Sequence, residues 1–251
     1  LVLLDDGEVV GFRGVIPQLY QAPINNRMEI LQGGSYALWN IRQDYRGLGL
    51  GYRMHMETQR MMRAITVLGS DRETSADPIL KKNGFVELDS MHRYVVPLEA
   101  QGYQRLLSNP PDLSQIKEWQ SAWENGGETV QPEEPDIDAL ADMWEKTTFP
   151  LNIFSIYRNS EFWNWRYINS KGYHYLFFGR AKDAGVVVAR TEVVYSSESP
   201  ELDQQKIFRI IEIVPREAHA WSRAEDPEMA GLISGCIRWA TEQGCIMADF
   251  F

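Results

Sequence analysis

Three glycines at alternate positions follow an arginine in the segment Asn40 to Tyr52, and these residues are well suited to bind an anion. The glycines are Gly47, Gly49 and Gly51, and the arginine is Arg46. Glycines leave backbone N–H groups uncovered, and the first turn of a helix has N–H donors without intrahelical partners. Such a place favours phosphate, and Arg46 adds fixed positive charge. The alternative is a strand-to-helix turn in which the glycines only solve a packing problem.

The glycine turn lies between an apolar run and a helix-like segment. Tyr36 to Ile41 is the apolar run, and it predicts a strand that leads into the turn. Apolar residues then recur at helical spacing and predict one buried helix face: Leu50, Met54, Met61 and Ile65. The sequence therefore predicts a strand, a phosphate-binding turn and a helix in succession.

The spacing Arg46-x-x-Gly49-x-Gly51 resembles the Arg/Gln-x-x-Gly-x-Gly/Ala signature of the GCN5-related N-acetyltransferases. A second stretch, Ala76 to Phe85, is similar to another element of that family, with Lys82, Gly84 and Phe85 in register. The resemblance covers roughly residues 1–98 and implies that the first motif holds the pyrophosphate of acetyl-coenzyme A. The residues that it assigns to this co-substrate are Ile41, Arg46, Gly47, Leu48, Gly49, Leu50, Gly51 and Tyr52.

The resemblance also implies direct transfer of the acetyl group to a neutral amine, which needs a base and a proton donor. Asp71 and Glu73 are the candidate bases, because they follow the strand predicted at residues 65–68. Either carboxylate is equally suited to a helix start without a catalytic part. The family's usual proton donor is a tyrosine, but its position holds Leu80 here. Another side chain or water serves instead, or the enzyme is impaired. Other groups with weaker claims are Glu29, Tyr36, Tyr52, His55, His92 and Tyr94.

Composition places the chain among ordinary soluble globular proteins. Hydrophobic residues make up 44% and charged residues 24%, and 25 basic against 35 acidic residues give a net charge of -10. This charge disfavours nucleic acid or an anionic membrane surface as a partner. Cys236 and Cys245 form no metal-binding or redox motif, so we expect no metal site and a reducing, cytoplasmic location. The sequence contains no motif of a serine hydrolase, a Walker loop or a zinc protease.

The order of elements predicts an α/β fold of two acetyltransferase-like units, each a mixed central sheet flanked by helices. Residues 1–98 are expected to form the coenzyme-binding unit, 99–135 a connector with a helix, and 136–251 a second, degenerate unit. The second unit repeats the order hairpin, strand, helix and strand, but its loop at 215–221 has no glycine. We therefore expect it not to hold pyrophosphate in the same way. Residues 18–34, with a proline and a glycine pair, are expected to form an irregular rim.

An aromatic stripe in the connector needs a surface to cover it. Ile116, Trp119 and Trp123 share one face of the predicted helix. We expect this face to pack on one of the two units. A surface for self-association, which would make the protein a homo-oligomer, is the alternative.

The function that the resemblance implies is an N-acetyltransferase that moves acetyl from acetyl-coenzyme A to a small amine in a ternary complex. An amino sugar or its nucleotide conjugate is one expected acceptor. A transferase of another acyl or aminoacyl group is the first alternative. The second is a non-catalytic module that binds acyl-coenzyme A or serves assembly, which Leu80 and the glycine-free second loop keep open.

Overall fold

The structure is a computed structural model that describes two compact units. The first is Leu1–Ser90 with Asn152–Tyr157, and the second is Met91–Leu151 with Arg158–Phe251. Each unit is a mixed sheet flanked by helices, which confirms the predicted fold class. Within the described ranges, none of the helices combines the length and the apolar character that crossing a membrane requires. All residues are described except 68–75, 89–90, 107–111, 125–127, 182, 198–199, 201, 219–225, 251 and the side chains of 77, 119 and 122–124.

Both units combine strands and helices. The described strands are β1 (Val2–Asp5), β2 (Glu8–Ile24), β3 (Arg27–Ile41), β4 (Ala64–Val67), β5 (Tyr94–Pro97), β6 (Pro132–Glu133), β7 (Ser155–Ile156), β8 (Leu176–Phe178), β9 (Gly185–Val193), β10 (Lys206–Pro215) and β11 (Cys245–Phe250). The described helices are α1 (Leu50–Met61), α2 (Ala76–Lys82), α3 (Ala100–Arg105), α4 (Leu113–Glu124), α5 (Ile137–Thr148), α6 (Ser160–Trp163) and α7 (Pro227–Glu242). A 3-10 turn at Gln43–Tyr45 precedes α1, and a π-helical turn at Asn164–Ile168 continues α6.

The first unit has the sheet order β1-β2-β3-β4, and β7 also pairs with β2. β2 and β3 form one long antiparallel hairpin, so the irregular rim expected for residues 18–34 is wrong. The physical reason is the turn at Asn25-Asn26, where both residues are left-handed with φ of 51° and 60°. Tight two-residue hairpin turns need this conformation, and asparagine adopts it more readily than most residues.

Helix α1 lies against β3 and ends earlier than the apolar spacing predicts. His55 and Thr58 are among its buried residues, whereas Met61 is 69% exposed and Ile65 lies in β4. The helix stops at Met61 because the backbone of Met62 is extended and leads into β4. Polar side chains therefore occupy part of the helix face for which the sequence predicted apolar packing.

Strands β3 and β4 approach each other closely at Gly33. A Cβ atom added there would overlap the carbonyl oxygen of Ala64 and lie 2.9 Å from the Tyr20 ring. Replacing Gly33 by alanine must therefore push the strands apart, and we expect the free energy of unfolding to fall by about 2–4 kcal/mol. Urea unfolding measures this loss.

Gly231→Ala is the matched control for Gly33→Ala. Gly231 lies in α7, and a Cβ atom added to it would meet no atom within 4 Å. Alanine is the better helix former by about 0.5–1 kcal/mol, so this variant should be slightly more stable than the parent. Equal stability of the two variants would contradict the close approach of β3 and β4.

The second unit has the sheet order β5-β11-β10-β9-β8-β6, in which β10 and β11 are parallel. Side chains of β9 alternate between two cores. Val187 and Ala189 share a core with residues of α7, and Val186 and Val188 share one with residues of α5 and α6. Helices therefore cover both faces of this sheet. Cys236 lies in the first of these cores as a free thiol, and burial raises its pKa to about 12, so it is not an ionised nucleophile at neutral pH.

Residues 92–135 belong to the second unit in the structure, whereas the sequence predicted them as the end of the first unit and a connector. β5 pairs with the C-terminal strand β11, so the strand predicted at residues 92–98 belongs to the second unit. Ile116 of α4 is fully buried in a core with Tyr103 of α3 and Met247 of β11. The predicted helix therefore packs on the second unit at this residue. The side chains of Trp119 and Trp123 lie outside the described residues.

Candidate active site

The glycine turn joins β3 to α1 and has free space above it. Gly47 and Gly49 have φ of 80° and 73°, a left-handed conformation that glycine adopts without strain. Gly49 is the N-cap of α1 and has no side chain to cap the helix. A Cβ atom added at either glycine would meet no atom within 4 Å. This corner of the protein is therefore open to a ligand.

The backbone N–H groups of residues 47–52 are free to bind an anion. Across the described part of the chain, no hydrogen bond uses one of these groups as its donor. The next N–H group, that of Arg53, bonds to the carbonyl oxygen of Gly49 at 3.1 Å and starts the helix. No acidic side chain lies in the first turn of α1. Because unpaired donors and the helix dipole both favour negative charge, this arrangement fits a diphosphate group.

Two arginines of the turn differ in what they bind. Arg42 forms ion pairs with Glu8 at 2.9 Å and with Asp44 at 2.8 Å, so it is already committed to carboxylates. The Arg46 Nε donates to the carbonyl oxygen of Ile41 at 3.0 Å and ties the turn to the end of β3. The terminal amino groups of Arg46 have no partner among the described residues. They are therefore available to a phosphate oxygen.

Strand β3 is irregular just before the turn. Its register with β2 shifts by one residue after Tyr36, so residues 37–38 together oppose Gly14 in a β-bulge. The parallel pairing of β3 with β4 ends at the same place, where Tyr36 lies opposite Val67. Among the described strands none pairs with the β4 side of residues 37–41. Apart from the carbonyl oxygen of Ile41, which accepts from Arg46, the backbone groups on that side have no strand partner among the described residues and can orient a ligand.

A stack of three buried side chains and the half-buried Trp39 lies next to the start of α1. The guanidinium carbon of Arg13 is 3.5 Å from the centroid of the Tyr36 ring and 4.1 Å from that of the Trp39 ring. The His55 Nδ1 lies 3.2 Å from the Tyr36 hydroxyl. Trp39 in turn lies 3.2 Å from where a Cβ atom on Gly51 would be. Burial and the charge of Arg13 lower the pKa of His55, so this histidine is a neutral interior side chain at neutral pH.

Three hydroxyl groups meet where β2, β3 and β4 lie side by side. The Tyr20 hydroxyl lies 2.7 Å from the Thr66 Oγ1 and 3.1 Å from the Ser35 Oγ. Tyr20 and Ser35 both donate to the Gln18 Oε1. This cluster therefore links the three strands one residue before the last pair of β3 and β4, after which these two strands separate. Sequence reasoning missed it because strand register, which brings distant residues together, is not visible in local patterns.

A groove of about 600 Å³ runs along β4 within the first unit. Val67, Phe85 and Phe154 are among the residues that line it. Phe85 also contacts Tyr36 and His55, with ring centroids 6.1 and 5.7 Å apart. The groove therefore adjoins the point at which β3 and β4 separate.

The predicted catalytic carboxylates, Asp71 and Glu73, lie outside the described residues, so their role stays a prediction. Leu80, at the family's tyrosine position, is 6% exposed in α2. Glu29 lies in β3 and pairs with an arginine at 3.5 Å. Tyr52 is 42% exposed in the first turn of α1, beside the free N–H groups. No three His, Cys, Asp or Glu side chains of the described residues come together as metal ligands would.

The corresponding helix of the second unit begins differently. Asp226 caps α7, and its Oδ1 accepts hydrogen bonds from the N–H groups of Glu228 and Met229 at 3.0 Å each. Pro227 lacks an N–H group, and the carboxylate of Glu228 adds negative charge to the first turn. The cap therefore takes up the donors that an anion would need. This geometry supports the expectation that the second unit does not hold pyrophosphate in the same way.

The chain has the fold of the GCN5-related N-acetyltransferases, and three solved structures share it. One from Anabaena variabilis, named a GCN5-related N-acetyltransferase, has a TM-score of 0.58 and 11% identity, over 99% of this chain and 54% of that one. N-myristoyltransferase from Saccharomyces cerevisiae with bound myristoyl-CoA has a TM-score of 0.56 and 10% identity, over 98% of this chain and 58% of that one. Eis1 from Mycobacterium abscessus has a TM-score of 0.54 and 10% identity, over 99% of this chain and 55% of that one.

The likeness is confined to structure. The chain spans between 54% and 61% of the length of five solved structures that it matches, these three among them. The sequence matches no protein-family model, and no curated protein sequence matches it either. At 10–11% identity the comparison shows the fold alone, so activity must be argued from the site.

Proposed function

We propose that this protein is an N-acyltransferase that transfers the acetyl group of acetyl-coenzyme A to a small amine. The observation that carries the proposal is the set of free N–H donors at residues 47–52, which lies at the start of α1 under open space. The fold supports it, because two of the similar structures are named as N-acyltransferases. An amino sugar or its nucleotide conjugate is the proposed acceptor.

Each part of the site has a role in this proposal. Acetyl-coenzyme A supplies an acetyl group activated as a thioester. Residues 47–52 bind the diphosphate through backbone N–H groups, and Arg46 adds two donors. The free edge of residues 37–41 orients the arm that leads to the thioester. Because both reactants are held in one cleft, attack by the amine becomes effectively unimolecular.

Proton transfer is assigned to residues near the end of β4. Asp71 and Glu73 are the proposed bases that take a proton from the acceptor's ammonium group, directly or through water. Leu80 cannot return a proton to the departing thiolate, since it is apolar and buried. Water or the hydroxyl of the exposed Tyr52 donates this proton instead.

Thiol release from acetyl-coenzyme A across a panel of amines tests the proposal. We expect release above the hydrolytic background with at least one amino sugar or nucleotide-linked amine. Calorimetry with coenzyme A on the same preparation shows whether the coenzyme binds. Binding without turnover of any amine would favour a non-catalytic acyl-coenzyme A module, and absence of binding would contradict the proposal altogether.

A transferase of a longer acyl group is the second candidate, and the groove beside β4 favours it. A groove of about 600 Å³, whose lining includes Val67, Phe85 and Leu88, is far larger than an acetyl group needs. One similar structure has myristoyl-CoA bound. Affinities of acetyl-, octanoyl- and myristoyl-coenzyme A separate the two candidates. An affinity that rises about fourfold per added methylene group would show that the acyl chain is buried, and would favour the longer acyl group. An affinity that stays constant or falls along the series favours acetyl.

A further inference from the structure

Arg13 is a buried cation that has no carboxylate partner in the part of the chain that the structure describes. It is 3% exposed, and no ion pair of the described residues includes it. Its Nε is buried and has no hydrogen-bond acceptor. An arginine stays protonated in proteins, and burying a charge without a counter-charge is unfavourable. The rings of Tyr36 and Trp39 on either side recover only part of this free energy.

The groups around Arg13 do not neutralise it. Burial raises the pKa of Tyr36, which therefore stays a neutral phenol. His55 is neutral for the reason given above, and its Nε2 is also buried without a partner. Two further uncharged side chains contact the stack: Thr58 hydrogen-bonds to Tyr36, and the Phe85 ring contacts that of His55. Among the described residues, the positive charge of Arg13 in this stack therefore has no compensating negative charge.

This charge lies close to the proposed diphosphate site. Arg13 pairs with Trp39 across β2 and β3. The Trp39 ring is in contact with the Arg13 guanidinium and lies 3.2 Å from where a Cβ atom on Gly51, in the first turn of α1, would be. The guanidinium and the helix that offers the free N–H groups thus contact the same aromatic ring. A charge in a desolvated site is screened less than one on the surface, so its field reaches those groups.

We propose that Arg13 is a buried counter-charge for the diphosphate of the coenzyme. It is a positioning residue, because it raises affinity through the field at the turn and not by contact with the ligand. The free protein tolerates an unpaired buried cation, and the bound anion offsets its cost. The inference rests on the proposed function, since it requires that residues 47–52 bind the diphosphate.

Arg13→Met tests the inference, because methionine keeps much of the length and removes the charge. We expect Arg13→Met to unfold in urea at the same or a higher midpoint than the parent when no ligand is present. Calorimetry should show coenzyme A bound about tenfold more weakly, which is roughly the effect of one unit charge within about 10 Å at an effective dielectric constant near 20. Arg13→Lys should keep most of the affinity. Pantetheine, which lacks the diphosphate, should bind the parent and Arg13→Met equally.

Arg60→Met is the matched control for net charge. Arg60 is exposed on the same unit and pairs with Glu57, so its loss should leave coenzyme affinity within about twofold of the parent.

Unchanged affinity in Arg13→Met would overturn this inference alone. Loss of folding in both Arg13→Met and Arg13→Gln would also overturn it, because Arg13 would then be needed for stability. A parent protein that does not bind coenzyme A would overturn the proposed function as well.

Discussion

Replacing Gly49 by valine should weaken coenzyme A binding by about a hundredfold or more while the protein still folds. Gly49 lies at the N-cap of α1, where a Cβ atom would enter the open space above the turn. A branched side chain there would occupy the proposed diphosphate position and separate the ligand from the N–H groups. Loss of two charge-assisted hydrogen bonds, each worth about 1.5–3 kcal/mol, accounts for the expected effect. Calorimetric titration with coenzyme A measures it.

Gly7→Val is the matched control for this variant. Gly7 has φ of 85° and Gly49 has φ of 73°, and an added Cβ atom would meet no atom within 4 Å at either position. Valine at a left-handed position costs about 1–2 kcal/mol of stability, so the two variants should lose similar stability. Gly7→Val lies in the β1–β2 turn and should keep the parent's affinity. If Gly49→Val binds the coenzyme as tightly as Gly7→Val, the diphosphate does not lie at this turn.

Removing both candidate bases should reduce the rate of acetyl transfer by about a hundredfold or more, because general base catalysis contributes roughly 10²–10⁴. The double variant Asp71→Asn with Glu73→Gln keeps side-chain shape and removes both carboxylates. Binding of coenzyme A should change less than the rate, since these residues are assigned to the acceptor's proton. Steady-state thiol release with the best amine of the panel gives kcat, and calorimetry gives the affinity.

The pH dependence of the rate gives a second readout for the same carboxylates. With a base present, the rate should rise with pH as that base loses its proton and then level off. The double variant should lose this rise and retain only the dependence of the free amine itself. A double variant with the parent's kcat would refute the assignment and leave helix-start carboxylates as the explanation for Asp71 and Glu73.

The part of the fold that sequence predicted best is local. The succession of strand, glycine turn and helix around residues 41–52 follows from apolar runs and glycine spacing, which depend on neighbours along the chain. The free N–H groups were foreseen for the same reason. The Asn25-Asn26 turn is also local, yet its chemistry was overlooked in favour of nearby proline and glycine residues, which normally mark loops.

What sequence could not supply depends on register between distant strands. Arg13 comes to lie on Tyr36 only because β2 and β3 pair with a bulge between those positions. β5 follows the first unit in sequence but pairs with the last strand of the chain, a choice that no local pattern encodes. The assignment of Asp71 and Glu73 rests on sequence alone, because both lie outside the described residues.

The two helix starts show how small differences in sequence separate binding from capping. Gly49 leaves the donors of α1 unpaired, whereas the carboxylate of Asp226 satisfies those of α7. Both helices follow a strand that carries a β-bulge, after Tyr36 in β3 and between Ile210 and Glu212 in β10. The shared backbone pattern therefore does not decide which unit binds an anion. The residue at the helix N-cap decides it, because it either leaves the N–H donors free or satisfies them.

Amide chemical shifts of Gly47, Gly49 and Gly51 during titration of ¹⁵N-labelled protein give the most direct test of the coenzyme site. Coenzyme A and pantetheine are added in parallel, because they differ by the nucleotide and its diphosphate. We predict that these three resonances move with coenzyme A, saturate at its calorimetric affinity, and stay in place with pantetheine. Resonances that stay fixed while coenzyme A binds would mean that the diphosphate lies elsewhere.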